Sequence, residues 1–355
     1  MSQTSYKTLL DKLVDIVMKE GASDLHLSEG RSPVVRVAGQ LRLIDTIPAF
    51  TQEDLHGLLD NLVSPEGKQA FLQTRELDFS YAHEDSRFRG NGFFKQGMIA
   101  IALRLIPHKI KTIEELNLPP ILETFTRKTQ GFFLVVGPVG QGKSTTLAAM
   151  IQLINTERLE HILTIEDPIE YIYEPVKSII DQREVRVDTK DFHTAMFSMF
   201  REDINVALVG EMRDPETIST AVTAAETGHL VFSTLHTNNA AQTIDRIIDS
   251  FPADQQSQIR MQIAGSLTGI FSQRLIPRIS GGLIPAYELL INNSAVANLI
   301  RERRSHELNS VIETGSQLGM IDLNRSLAEL VKAGEISVEN AYRYSLNAKV
   351  LEKML

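Results

Sequence analysis

A glycine-rich turn between an apolar run and a helical run constrains the fold of this chain more than any other feature. Residues 137–144 read GPVGQGKS, directly after FFLVV at 132–136 and directly before TTLAAM at 145–150. This order predicts a buried strand, a phosphate-binding loop and a helix. Glycines leave successive backbone N–H groups free to surround phosphate oxygens, and the helix adds the positive end of its dipole. We therefore expect an α/β fold that binds a nucleoside triphosphate.

The residue types in the loop predict how the ligand is held. Lys143 places a positive charge at the β- and γ-phosphates, and the hydroxyl of Ser144 is suited to ligate Mg²⁺. The alternative is a glycine turn that only joins a strand to a helix, and the Lys-Ser pair with its flanking elements argues against it. The predicted nucleotide-binding residues are Gly137, Pro138, Val139, Gly140, Gln141, Gly142, Lys143, Ser144 and Thr145.

The length and composition of the chain exclude several classes of protein. The chain has 355 residues, which suggests about two domains. It contains no cysteine, so disulfides, thiolate zinc sites and cysteine nucleophiles are excluded. No apolar run is long enough to span a membrane, and the start of the chain lacks the apolar core of a secretory signal. The net charge of −9 argues against a surface-wide nucleic-acid footprint.

The first hundred residues predict a small α+β domain. Helical spacing of apolar residues over 9–17 ends at Gly21, and a second helix is expected from Thr51 to Phe71. Thr51 is its predicted N-cap, with Asp54 at the capping-box position. Short strands are predicted at residues 25–27, 34–37, 41–43, 77–81 and 98–106.

Beyond Gly131 the pattern alternates between strand and helix, which predicts a largely parallel sheet. Residues 254–273 are predicted to be helical, because their apolar residues share one helical face, and the tail after them is predicted to be helical too. Strands are predicted at residues 132–136, 162–165, 206–209 and 230–235. The predicted division is a first domain over 1–106, a linker over 107–120 and a second domain over 121–355, with a helical subregion over about 285–355.

Acidic residues follow two of the predicted parallel strands. Glu166 ends the run ILTIE, and Glu211 follows VALVG. Ligand sites of α/β proteins lie at the carboxyl ends of parallel strands, and hydrolysis of a triphosphate needs one carboxylate for Mg²⁺ and another to orient water. Glu211 with Ser144 is the predicted metal-binding pair, whereas either Glu166 or Glu211 could polarise the water. Asp214 is predicted to cap a helix, and the role of Asp167 stays open.

Two histidines bracket the predicted strand at 230–235. A histidine at a strand end can donate to a γ-phosphate and change its partner after hydrolysis. The alternative is that His229 and His236 are packed at the strand termini without a catalytic role.

Five segments together resemble one superfamily, that of the secretion and type IV pilus ATPases. They are GPVGQGKSTT, ILTIEDPIEY at 162–171, DQREV at 181–185, REDINVALVGEMRDPET at 201–217 and AETGHLVFSTLHT at 225–237. In that superfamily they correspond to the Walker A loop, the Asp box, the Walker B segment and the His box. ASDLHL at 22–27 and RFRGN at 87–91 resemble its PAS-like N-terminal module, and the core is then expected to be RecA-like.

Within the superfamily the chain is most similar to the PilT family of type IV pilus retraction ATPases. Assembly and secretion members usually carry an extra N-terminal domain and a four-cysteine zinc element, whereas this chain has no cysteine. TGSQLGM at 314–320 resembles the retraction family's TGGSLGM. Four positions depart from the family pattern without replacing a phosphate, metal or water ligand: Gly90 for Val, Gln141 for Ser, Ile204 for Pro, and Ala297 for the internal Arg of AIRNLIRE.

The resemblance implies a homohexameric motor that hydrolyses ATP at the cytoplasmic face of the inner membrane. It would act on a membrane-embedded platform protein and indirectly on pilin, with no direct nucleic-acid partner. His229 and His236 would couple the γ-phosphate to movement, and Lys143, Glu166 and Glu211 would complete the catalytic set.

Arginines from outside the core are expected to reach a neighbouring subunit's nucleotide, and the candidates are Arg87, Arg89 and Arg104. Arg201 and Arg213 are candidates for sensing the Walker B strand. The alternative functions are an accessory PilU-like retraction ATPase, a pilus-assembly or type II secretion ATPase, a nucleic-acid translocase and a nucleotide switch without turnover.

Overall fold

The chain forms two compact units. The computed structural model describes residues 3–37, 39–83, 86–106, 109–212 and 214–355. One unit comprises residues 1–109 with 168–172, and the other comprises residues 110–167 with 173–355. The first two residues of the predicted linker, Pro107 and His108, and the candidate Arg213 lie outside the described residues.

The first unit contains a six-stranded sheet in which every neighbouring pair is antiparallel. The strands are β1 (Asp24–Ser28), β2 (Val34–Val37), β3 (Gln40–Leu43), β4 (Glu76–His83), β5 (Ser86–Lys95) and β6 (Met98–Ile106). Their spatial order is β3-β2-β1-β6-β5-β4. Strand β5, which holds two of the candidate arginines, was missed in the sequence because its residues SRFRGNGFFK are polar and glycine-rich.

Three helices belong to this unit: α1 (Gln3–Glu20), α2 (Gln52–Leu62) and α3 (Pro65–Thr74). Thr51 and Asp54 form the predicted capping box at the start of α2. The single helix predicted from Thr51 to Phe71 is wrong, because Pro65 cannot continue a helix and Ser64 instead caps a new one through the N–H of Gly67.

The second unit contains a seven-stranded sheet. Its strands are β7 (Gly131–Val136), β8 (His161–Glu166), β9 (Ile179–Glu184), β10 (Val206–Val209), β11 (Leu230–Leu235), β12 (Leu267–Pro277) and β13 (Leu283–Ile291). Their spatial order is β13-β12-β7-β11-β10-β8-β9, and all neighbours are parallel except β12 and β13. The four predicted strands are confirmed, and each is buried on both faces.

Helices cover this sheet and form the predicted helical C-terminal region. The helices are α4 (Leu122–Thr126), α5 (Lys143–Glu157), α6 (Phe192–Met199), α7 (Pro215–Glu226), α8 (Ala240–Asp249), α9 (Gln256–Ser266), α10 (Ser294–Arg301), α11 (Leu308–Thr314), α12 (Leu323–Lys332), α13 (Val338–Tyr344) and α14 (Ala348–Glu352). Two 3₁₀ turns, Ser305–Glu307 and Ser316–Leu318, join the later helices. Among the described helices, none combines the length and the apolarity needed to cross a membrane.

Two predictions for the region after residue 254 are wrong. The expected helix over 254–273 ends at Ser266, and Leu267 begins β12. Apolar residues continue without a break from the helix into the strand, so their spacing fits both structures, and pairing with β7 and β13 decides between them. The tail also contains β13, which was expected to be helical.

Candidate functional site

The phosphate loop lies where β7 ends and α5 begins. Gly142 is the N-cap of α5 and has a φ of 77°, a left-handed conformation that favours glycine. Gly137 has a φ of 148°, and a Cβ atom there would lie 2.5 Å from the carbonyl oxygen of Gln273. The backbone conformation and the close approach of β12 therefore both require glycine in this loop.

Lys143 is 7% exposed and is the first residue of α5. Its Nζ donates to the carbonyl oxygens of Gly137 and Pro138, at 2.8 and 2.9 Å. The same Nζ lies 3.1 Å from Nδ1 of His236. An ammonium group can only donate, so Nδ1 accepts in this contact and the ring proton of a neutral His236 is on Nε2.

Glu211 completes a chain of three side chains at the loop. It follows β10, and its Oε1 lies 3.4 Å from Nε2 of His236. The hydroxyl of Thr234 on β11 donates to the carbonyl oxygen of Gly210 at 2.7 Å, which holds the residue before Glu211 against the neighbouring strand. The structure thus brings together Lys143, His236 and Glu211, three residues that the sequence named separately as candidates.

A cavity of about 730 Å³ adjoins this chain of side chains. Glu211 and His236 lie in its wall beside Asn238, Gln242 and Arg246. The side chains of Glu211 and His236 are 24% and 42% exposed, so both can meet a ligand or water. The carboxylate and imidazole are therefore placed for chemistry at an accessible surface.

Glu166 lies at the carboxyl end of β8, at the same end of the sheet as the loop. It is 8% exposed, and its Oε1 accepts from the hydroxyl of Thr164 at 2.6 Å and from Nε2 of Gln182 at 3.4 Å. Strands β10 and β11 lie between β8 and the loop strand β7. Glu166 is therefore farther from the loop along the sheet than Glu211.

His229 is not near the phosphate loop of its own core. It precedes β11, and its carbonyl oxygen accepts from the N–H of Gly131, the first residue of β7. The loop follows the last residue of the parallel strand β7, and a strand of this length spans about 20 Å. The Nδ1 of His229 lies 3.0 Å from the carbonyl oxygen of Ala224, and its ring packs edge-on against Phe200. His229 thus lies at the opposite end of these strands from the phosphate loop of its own core, and its expected coupling of the γ-phosphate to movement stays a prediction.

Three other charged residues that the sequence named each contact a neighbouring side chain. Asp214 caps α7 through the N–H and hydroxyl of Thr217, as predicted. Asp167 pairs with Arg186. The guanidinium of Arg201 lies 5.6 Å from the ring centre of Phe197, and this cation–π contact packs the arginine against the aromatic ring.

The three candidate arginines of the first unit lie on one face of the antiparallel sheet. Arg89 on β5 is the register partner of Arg104 on β6, and Arg104 is the partner of Asp24 on β1. Arg87 is two residues from Arg89 and therefore shares its face. Arg36 on β2, which the sequence did not single out, is the partner of Asp24 on the other side.

Asp24 organises this arginine face. It is 7% exposed, its Oδ1 accepts from Nε of Arg104 at 2.9 Å, and its Oδ2 lies 3.9 Å from Nε of Arg36. Burial opposes ionisation of this carboxyl, but hydrogen bonds from the hydroxyl of Ser23 and from Arg104 outweigh it, so its pKa lies below the usual value. Asp24 is therefore an anion that restrains two of the arginines.

Sequence reasoning missed Gln273 on β12. Its side-chain amide contacts both the phosphate loop and α5. The residue lies in a segment that was predicted to be helical, and no local signal marks its long-range contacts.

A phosphate loop at the carboxyl end of a mainly parallel sheet, with a strand-end acid and histidine beside it, defines a P-loop ATPase class of protein. Residues 75–341 match the family described as type II/IV secretion system protein. The chain belongs to this family, and within it to the PilT family of ATPases.

Similar proteins match along nearly their whole length. The chain is 45% identical over 333 residues to the type IV pilus retraction ATPase PilT of Pseudomonas aeruginosa, covering 94% of this chain and 96% of that protein. It is 44% identical over 320 residues to a twitching motility protein of Neisseria gonorrhoeae, covering 90% and 85%. A crystal structure of the pilus retraction motor PilT with bound ADP superposes with a TM-score of 0.90 at 44% identity, covering 96% and 98%. This neighbour confirms the α/β fold.

Proposed function

We propose that this chain is an ATP-hydrolysing motor that powers type IV pilus retraction. The observation that carries the proposal is the Lys143–His236–Glu211 chain of contacts beside the phosphate loop. It occurs in a chain that matches retraction ATPases along nearly its full length. ATP is the expected nucleotide, since ADP is bound in the similar motor.

The loop and its helix hold the triphosphate. The backbone N–H groups of residues 139–145 and the N-terminal end of α5 supply partial positive charge, and Lys143 supplies a full one. Lys143 now donates to loop carbonyls and approaches His236, and a β- or γ-phosphate oxygen would replace those acceptors. Binding therefore changes the partners of His236, which supports a role for this histidine in sensing the γ-phosphate.

The oxygen ligands beside the loop fit Mg²⁺. The hydroxyl of Ser144 and the carboxylate of Glu211 are hard donors, and Mg²⁺ usually takes one or two protein ligands together with phosphates and water. Within the described ranges there is no group of three or more His, Cys, Asp or Glu that could hold a metal alone. Bound there, Mg²⁺ would neutralise phosphate charge.

Glu166 and Glu211 are both candidates for polarising the attacking water, and two variants separate their roles. Glu211→Gln should raise the Mg²⁺ concentration needed for half-maximal hydrolysis, because it weakens a metal ligand. Glu166→Gln should lower kcat and leave the Mg²⁺ dependence unchanged if Glu166 orients water. The reverse pattern in a Mg²⁺ titration would exchange the two assignments.

A homohexameric ring lets arginines of one subunit act on the nucleotide of another. Arg87, Arg89 and Arg104 share one sheet face, and Asp24 restrains Arg104, which supports a prearranged cationic surface. Mixed rings of Lys143→Ala subunits with subunits altered at the three arginines should regain some activity. Mixed rings that form but stay inactive would exclude action between subunits.

The partners follow from the proposed retraction role. Force would pass to a platform protein in the inner membrane, and through it to pilin, with the motor at the cytoplasmic face. Nucleic acid is not an expected partner, so DNA or RNA should leave the hydrolysis rate unchanged.

Phosphate release by the purified chain, with and without Lys143→Ala, tests the enzymatic part of the proposal. We expect sustained turnover that the variant abolishes, whereas a single burst without turnover would indicate a switch. Expression of the chain in cells that lack their own motor tests the direction of movement, and we expect it to restore pilus retraction. Retraction only in cells that keep their own motor would indicate an accessory PilU-like ATPase, and restored assembly would indicate an assembly ATPase.

A further inference from the structure

Strand β12 continues beyond its neighbour and meets the phosphate loop. Its last register pair with β7 is Ser272 with Val136, yet β12 runs on to Pro277. The N–H of Leu275 therefore lies past the end of the β7 ladder. It donates to Oε1 of Gln141 at 2.7 Å, so a side chain of the loop supplies the acceptor that a strand would have supplied.

Gln273 makes a second connection from the same strand. It is 2% exposed, its Nε2 donates to the carbonyl oxygen of Gln141 at 2.7 Å, and its Oε1 accepts from the hydroxyl of Thr146 at 2.7 Å. A backbone carbonyl can only accept, so these partners fix which end of the amide carries the nitrogen. One buried side chain thus joins β12 to the loop and to α5.

The contact with Gln273 sets the orientation of one peptide in the loop. In a trans peptide the C=O and the next N–H point in opposite directions. Because the carbonyl oxygen of Gln141 is held by Gln273, the N–H of Gly142 points away from Gln273. Gly142 is the N-cap of α5, where an anion meets backbone N–H groups. A Cβ at Gly142 would lie 3.0 Å from Nε2 of Gln273, which shows how closely the two are packed.

We propose that Gln273 and Gln141 are positioning residues that hold the phosphate loop in its nucleotide-binding conformation. The proposal rests on the nucleotide-binding part of the proposed function. A loop already held in place spends less of the binding free energy on ordering its backbone. The side-chain contact of Gln141 depends on the length of this side chain, since a serine at the same position would be too short to reach the N–H of Leu275.

The test uses the full chain and two variants of similar side-chain length, Gln141→Met and Gln273→Met. Each should weaken ADP binding, measured by calorimetry, by about 3- to 10-fold, because a net hydrogen bond of ordinary strength is lost. The KM for ATP should rise by a similar factor while kcat stays within about twofold, since loop ordering affects the ground state and the transition state alike. Gln262→Met is the matched control, because Gln262 bonds Glu226 on the surface of α7.

Several outcomes would overturn the proposal. Unchanged ADP affinity in both variants would contradict it, and so would a fall in kcat at constant ADP affinity. A lower unfolding temperature as the only effect would show that the two glutamines stabilise the fold without positioning the loop. If Gln273→Met fails to fold, Gln141→Ser at the half-buried loop position gives the same measurement. Wild-type protein that binds no ADP would instead remove the nucleotide-binding proposal itself, so the two failures are distinguishable.

Discussion

The two sheets of this protein place their functional side chains in different ways. In the second unit, all six residues of β7 and all six of β11 are buried, so chemistry is confined to the residues that follow the strands. In the first unit, β5 alternates between buried and more accessible positions over residues 88–92, β6 exposes Arg104 beside buried Leu103, and arginines project from both strands. A sheet covered on both faces offers its ends for function, whereas a sheet with one open face offers that face.

This difference also explains which residues could be found from sequence. A strand end is marked by a change from apolar to polar residues, so Glu166, Glu211 and His236 were identifiable. A residue on an open sheet face has no such mark. Arg36 was therefore overlooked, although it lies beside the same carboxylate as Arg104.

The largest effect on ATP hydrolysis is expected from replacing an arginine on the arginine face of the antiparallel sheet. Under the proposed action of arginines between subunits, Arg104→Ala should lower ATP hydrolysis by about 10³-fold, the lower range for loss of an arginine supplied from outside the core. Arg42→Ala is the matched control, since Arg42 lies on β3 in register with Val35 on the opposite face and pairs with Glu20. Steady-state phosphate release measures both. Equal activity of the two variants would show that Arg104 has no catalytic role.

Two leucine-to-alanine variants compare a buried position of the second sheet with an exposed position of the first. Leu208 on β10 is 4% exposed and Leu41 on β3 is 58% exposed. Leu208→Ala should lower the free energy of unfolding by about 2–5 kcal/mol, because it opens a cavity at a buried position of the sheet. Leu41→Ala should change it by less than about 0.5 kcal/mol. Denaturant titration of each variant makes the measurement, and a large loss for Leu41→Ala would contradict the open-face description.

Glu288 is an ionisable residue buried in the second sheet, and its burial should make the free energy of unfolding depend on pH. It lies on β13, and burial raises the pKa of its carboxyl to about 7, while the N–H of Ala240 at the start of α8 acts in the opposite direction. Between pH 4.5 and about 7 the unfolded carboxyl loses its proton while the folded one retains it. Stability should therefore fall as pH rises through this window and level off above it.

Glu288→Gln keeps the acceptor for Ala240 and removes the titration. The unfolding free energy of the wild type relative to this variant should fall by roughly 3 kcal/mol between pH 4.5 and 7. Denaturant unfolding at a series of pH values measures it. A constant difference across the window would show that Glu288 titrates normally.

The smallest effect is expected at a helix end of the first unit. Thr51→Ala removes the side chain that accepts from the N–H of Asp54, and it should lower the unfolding free energy by about 1 kcal/mol. Thr51→Ser keeps the hydroxyl and should restore most of the loss. Thermal unfolding distinguishes the two variants, and equal stability of both would mean that this cap contributes nothing.

Much of the fold could be predicted because local signals were strong. The capping box at Thr51, the cap at Asp214 and the four central strands follow from residue type and spacing within a few positions. The failures lie where local spacing fits two structures. Residues 267–273 continue a helical apolar pattern but form β12, since this segment pairs with β7 on one side and β13 on the other.

By itself the sequence determined the phosphate loop, the class of ligand and the strand ends that carry acids, because each depends on neighbouring residues. The tertiary structure decided which distant groups meet. His229 and His236 bracket one strand and are equally plausible in sequence, but the parallel direction of β7 and β11 puts only His236 at the loop. The contact of Gln273 with the loop spans more than a hundred residues of chain. Such contacts depend on strand order and direction, which no local pattern encodes.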